Sequence, residues 1–110
     1  MPFVRSLIGD PMPTYIVSRL TIHDADAMRR YVNEAPATVA AYGGRYHFRG
    51  SNVQALEGSW DQDRMVVLEF PSKAAALAWY ESDTYRPLRL LRQASAEATI
   101  LLADGDATAR

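Results

Sequence analysis

The sequence predicts an α+β fold, with four strands in one antiparallel sheet and helices on one of its sides. Three observations lead there. The apolar pattern changes period along the chain, reading strand, helix, strand, strand, broken helix, strand from Thr14 to Ala103. Two βαβ halves in one short chain make the split, ferredoxin-like arrangement, and right-handed crossovers put both helical layers on the same side. A chain of 110 residues, 48% apolar and 23% charged, suits one globular domain.

Residues 1–13 carry Pro2, Pro11 and Pro13, which disfavour regular structure. They read as an arm whose Phe3, Val4, Leu7 and Ile8 can pack on the domain or on a partner subunit. The domain is expected over 14–105, and 106–110 as a loose tail. TYIVSRLTI at 14–22 is rich in β-branched residues and reads as the first strand, with Ile16, Ser18, Leu20 and Ile22 on one side and Tyr15, Val17, Arg19 and Thr21 on the other.

Asp24 suits the N-cap of the next helix, and Asp26 its first turn. Met28, Tyr31, Val32, Ala35, Val39 and Tyr42 share one face. Pro36 is expected to kink this helix or start a second segment. Gly43 stands where a left-handed C-terminal residue is needed. RYHFRG at 45–50 then reads as a strand with Tyr46 and Phe48 on one side and Arg45, His47 and Arg49 on the other.

Val53–Glu57 is read as a short strand and 58–63 as turn. RMVVLEF at 64–70 is the clearest strand in the chain. Ser72 caps a helix over KAAALAWYES, with Ala75 leaving its capping box incomplete. Asp83 or Thr84 is expected to cap YRPLRLLRQAS, with Pro87 in the first turn. Its inner face is either Leu88, Leu91 and Ser95, or Leu90 and Ala94. Arg86, Arg89 and Arg92, at steps of three, read as a solvated face or as partners of Glu57 or Glu81. ATILLA at 98–103 is the last strand. Both sides of the sheet carry apolar residues, yet helices cover only one, so a second copy's sheet is the natural cover and a homodimer is expected.

The Tyr-led first strand, the Asp24 helix start, YGGR at 42–45, LEG at 56–58, VVLEFPS at 66–72 and WYESDTYRPLRLLR at 79–92 together resemble a family of small bacterial proteins, domain of unknown function 1330, within the dimeric α+β barrel superfamily. The resemblance spans about residues 14–105. It implies a ferredoxin-like subunit whose sheet packs on that of a twin, and no particular activity. Superfamily relatives include cofactor-free oxygenases, haem-degrading enzymes, dye-processing peroxidases and muconolactone isomerases, a fold-level analogy only.

Composition narrows the function classes. A formal net charge of −1 with no strongly basic window argues against nucleic-acid binding. The absence of cysteine removes disulfides and thiolate chemistry. The apolar run FVRSLI is too short for a membrane span or a signal-peptide core, so a cytoplasmic location is the default. With two histidines and no cysteine, no metal site is expected, and nothing calls for a cofactor.

In a strand order of last, first, third, second, placing Val67 beside Val17 and His47 brings Glu69 next to Tyr15 and Arg45, with Arg19 and Arg49 flanking Met65. One reading is a small-molecule site in a cleft between helices and sheet. His47 would then serve as acid or base, Glu69 as its orienting carboxylate, and Arg45, Arg19 and Tyr15 as ligand contacts. The other is a structural ion pair of Glu69 with Arg45 that helps to close the dimer. Trp79, Tyr80 and Tyr85 around the helix break can wall a pocket that binds an acidic or aromatic molecule, or simply fill the core. Haem held through His47 is a further alternative.

Overall fold

The computed structural model describes residues 12–105. The expected arm and tail lie largely outside them. Seven elements follow in order: β1 (Thr14–Ile22), α1 (Ala25–Ala41), β2 (Arg45–Gly50), β3 (Arg64–Phe70), α2 (Lys73–Tyr80), α3 (Arg86–Ser95) and β4 (Ala96–Asp104). The strands form one antiparallel sheet in the order β2-β3-β1-β4.

Register decides which side chains meet the helices. Val17 pairs with Val67, and Tyr15 with Glu69, as expected from the sequence. Ile16, Leu20, Leu68 and Phe70 are therefore buried under the helices, joined by Ala35 and Val39 of α1, Ala76 and Trp79 of α2, and Leu88 of α3. Tyr15, Val17, Arg19, Met65, Val67 and Glu69 occupy the opposite, open face, where Leu101 and Phe48 are exposed.

β2 departs from the expected alternation. Arg45 pairs with Glu69 and Tyr46 with Leu68, but Phe48, not His47, is opposite Val67. His47 is the extra residue of a β-bulge, which shifts everything after it by one place. Phe48 consequently joins the open face, its ring lying over Gly50, while Arg49 pairs with Val66 and stacks on Tyr46 on the helix side. Arg49 does not flank Met65, because Gly50 takes that place.

Helix boundaries follow local chemistry. The Asp24 carboxylate accepts the Ala27 amide, and the Ser72 hydroxyl accepts that of Ala75, as their N-cap positions require. α1 runs through Pro36 as one element. The proline removes a single amide donor, and Ala35 and Val39, both fully buried, anchor the helix around it. At its end the Gly43 and Gly44 amides donate to the Ala40 and Val39 carbonyls, a Schellman closure with Gly43 at φ +78°. Gly44 serves a different need. A Cβ there would lie 2.5 Å from the Phe70 ring and 2.8 Å from Val39.

Three further expectations are corrected. No strand forms at Val53–Glu57. Asn52 and Gly58 bracket it with positive φ, and its ladder-like contact is a single long bond from the Val53 amide to the Asp63 carbonyl. Neither Asp83 nor Thr84 caps α3. Instead, the Ser82 hydroxyl accepts the Tyr85 amide and the Ser82 carbonyl accepts that of Arg86. The inner stripe of α3 is Leu88, Arg92 and Ser95, so Arg92 is buried rather than solvated.

Gly44→Ala is expected to lower stability by about 1–3 kcal/mol through overpacking against Phe70. Urea unfolding monitored by circular dichroism checks this, and a loss within experimental error would show that the contact relaxes freely.

Candidate functional site

The expected site residues divide between the two sides of the sheet. On the open face, Glu69 gathers the polar row. Its Oε1 accepts a hydrogen bond from Arg45 Nη2 at 3.1 Å and lies 3.3 Å from His47 Nδ1, while Tyr15 meets the imidazole edge-on with ring centroids 5.7 Å apart. Arg45, His47, Glu69 and Tyr15 thus come together. The Arg45 side chain is 70% exposed, so among the described residues the row lies open on the surface of the sheet. Arg19 stands apart from it, its guanidinium 5.2 Å from the Trp60 ring in a shallow depression with Val17, Met65 and Leu101.

Tyr80 and Tyr85 lie on the other side, in a cavity between helices and sheet. The floor is Ile16, Ser18 and Leu20 of β1 with Val66 and Leu68 of β3. Met28, Tyr31 and Val32 of α1, Trp79 and Tyr80 of α2, Tyr85, and Arg92 of α3 form the walls. The space between these side chains, open mouth included, is about 600 Å³. Arg49 and Arg64 complete the rim; His47 is not part of it.

The deep wall is an ordered aromatic stack. Trp79 lies against Tyr85 with centroids 4.0 Å apart, and its Nε1 donates to Thr38 Oγ1 at 3.0 Å. Tyr85, almost wholly buried, shares a 2.6 Å hydrogen bond with Tyr31 across the cavity. Arg92 Nε reaches the Tyr85 hydroxyl at 3.5 Å, and Arg92 Nη2 is buried without a hydrogen-bond partner among the described residues. Tyr85 fills the core at the helix break, with Tyr80 packed against it, and both side chains also line the cavity.

Titration follows from this packing. Burial, then the charge and hydrogen bond of Tyr85, push the Tyr31 phenol well above its ordinary value. Burial pushes Tyr46 up to about 12, against the pull of Arg49. Burial disfavours the charge on Arg92, yet its interactions with Tyr85 and Tyr31 outweigh this and hold its proton more tightly overall.

Among the described residues, no helix is long and apolar enough to cross a membrane. The sequence profile of a domain of unknown function, DUF1330, matches residues 13–106. The chain belongs to the DUF1330 family. Among curated proteins none matches this sequence. The DUF1330 chain is similar in structure to the RPA0582 protein of unknown function from Rhodopseudomonas palustris, with a TM-score of 0.75 and 18% identity, covering 96% of this chain and 92% of that one. It is also similar to SnoaB, a cofactor-independent oxygenase from Streptomyces nogalater (TM-score 0.65, 13% identity, 89% and 97% covered). A dimeric ferredoxin-like protein of unknown function from Thermobifida fusca is a third (TM-score 0.62, 11% identity, 86% and 92% covered). At these identities the likeness establishes the fold, a ferredoxin-like α+β architecture.

Sequence reasoning missed Arg92 and the Tyr31–Tyr85 bond. The signal for Arg92 was present, since it lies four residues after Leu88 and three before Ser95, on the stripe that proved to be inward. The raised phenols give a test. Their neutral forms are favoured by folding, so the stability they confer is complete below pH 10 and declines as pH rises, for Tyr46 between 10 and about 12. Ultraviolet titration at pH 10.5 is expected to leave Tyr31 and Tyr46 un-ionised, and Tyr46→Phe to flatten the stability loss above pH 10.

Proposed function

We propose that this protein binds a small organic molecule, acidic or aromatic, in the cavity between helices and sheet, and that it works as a homodimer joined through the open faces. The observation that carries the first part is the hydroxyl pair of Tyr31 and Tyr85 on the wall of an otherwise largely apolar cavity, the usual form of a small-molecule site. The likeness to a cofactor-independent oxygenase supports a small-molecule role without adding a cofactor. The second part rests on the apolar open face, on which Val17, Met65 and Val67 sit beside exposed Phe48 and Leu101, and on the dimeric likeness.

On this reading the Arg45–Glu69–His47 row belongs to subunit association. A second reading keeps His47 as an acid or base oriented by Glu69, which their 3.3 Å contact favours. Its substrate would then lie on the open face, under the partner subunit, and not in the cavity. Haem through His47 would also have to sit there.

Val66→Trp should fill the cavity and abolish the thermal stabilisation given by hits from a screen of small organic acids and aromatics. Stabilisation that survives the substitution would move the site elsewhere. Val67→Lys places a charge in the middle of the open face and should convert the dimer to a monomer in sedimentation velocity at micromolar concentration. A wild-type protein already monomeric there would overturn the association. His47→Ala should leave cavity binding unchanged, whereas the second reading requires it to abolish activity.

A further inference from the structure

We infer that the cavity is built for an organic carboxylate: the acid group sits against Arg92 and takes a hydrogen bond from the Tyr31–Tyr85 pair, with the rest of the molecule directed towards Arg49 and Val32 at the mouth. This inference rests on the cavity reading above and names the chemistry of its occupant.

Three observations converge on it. The first is a count of donors and acceptors. Two tyrosine hydroxyls hold two protons, and their mutual 2.6 Å bond uses one, so one O–H remains to donate whichever way the bond runs. Arg92 adds a guanidinium whose hydrogen bonding among the described residues is one 3.5 Å contact from Nε, with Nη2 buried and unpartnered. The site offers several donors and few acceptors, and an anion supplies what is missing.

The second is charge. Among the described residues, Arg49, Arg64 and Arg92 line the cavity and no aspartate or glutamate does. None of the three has a carboxylate partner among the described residues. Arg92 is only 4% exposed, and a buried cation without a counter-ion is costly. Arg49 and Arg64, nearer solvent, add a positive field that draws anions towards the mouth. The raised Tyr31 phenol agrees with this arrangement, because that hydroxyl keeps its proton, as a donor must.

The third is shape. Arg92 and Tyr85 are buried while Val32 and Arg49 on the same lining are exposed, so an acid group held at Arg92 leaves the body of the ligand to extend towards the rim.

The test uses the full chain carrying Trp60→Phe. Of the two tryptophans this leaves Trp79, stacked on Tyr85, as the fluorescent reporter. The protein is titrated with benzoate and butyrate, and with benzamide and butyramide as neutral counterparts. The acids are expected to bind at least about tenfold more tightly than the amides, the scale of one charge-assisted hydrogen bond. Arg92→Met should remove that preference while leaving the urea midpoint unchanged or higher, since it deletes an unpaired buried charge. Equal binding of acids and amides, unaffected by Arg92→Met and lost in Val66→Trp, would overturn the carboxylate assignment and leave the cavity reading standing. No response of Trp79 to any of the four probes would overturn both. Should Arg92→Met fail to fold, the comparison of acids with amides in the parent protein still decides the question.

Discussion

The pairing of β1 with β3 is the constraint on which the rest of the molecule depends. With Val17 opposite Val67, every second residue of both central strands is committed to one side of the sheet. One set, Ile16, Leu20, Leu68 and Phe70, is buried under three helices. The other, with Val17, Met65 and Val67, is left without a helix. A slip of one residue would turn one strand over relative to the other, putting either Glu69 or Arg19 under the helices at a large desolvation cost. The register is thus held by burial on one side and by charge on the other, and both the cavity and the open face inherit their composition from it.

The cavity exists because the helical layer is not closed at its centre. Trp79, Tyr85 and Tyr31 are large, rigid and polar at their tips, and they pack by offset and edge contacts that fix where those tips lie. Aliphatic residues in their place could have sealed the space. The hydroxyls instead satisfy each other, and Arg92 is held beside them with much of its hydrogen-bonding capacity unspent. Such a group lowers stability relative to a well-packed apolar residue, and this is the kind of local inconsistency that tends to mark a working site.

Much of the fold was legible in the sequence because its signals are local and repeated. Alternation in TYIVSRLTI and RMVVLEF, the caps Asp24 and Ser72, and the Gly43 stop each specify an element, and together they give the sheet order. Two features were not legible. The bulge at His47 adds a residue without any composition cue, since RYHFRG alternates as well with it as without it. The inward turn of Arg92 went unread because arginine at a helical step of three ordinarily faces water, and only the three-dimensional neighbourhood of Tyr85 makes its burial tolerable. The polar row was legible as a row, for Arg45, Glu69, His47 and Tyr15 do meet. That it lies on the opposite side from Tyr80 and Tyr85 was not, because His47 and Tyr85 belong to elements whose relative placement depends on the whole crossover.

The bulge gives one short strand two separate duties. Phe48 faces outward and Arg49, its immediate neighbour, faces inward, with no intervening residue to insulate them. Flattening the bulge, so that His47 took the place opposite Val67, would turn the guanidinium away from the rim and the phenyl ring away from the exposed layer in a single event. The outward place of Phe48 and the inward place of Arg49, on opposite surfaces, therefore depend on one register, and a change that absorbed the bulge into the ladder would reverse both.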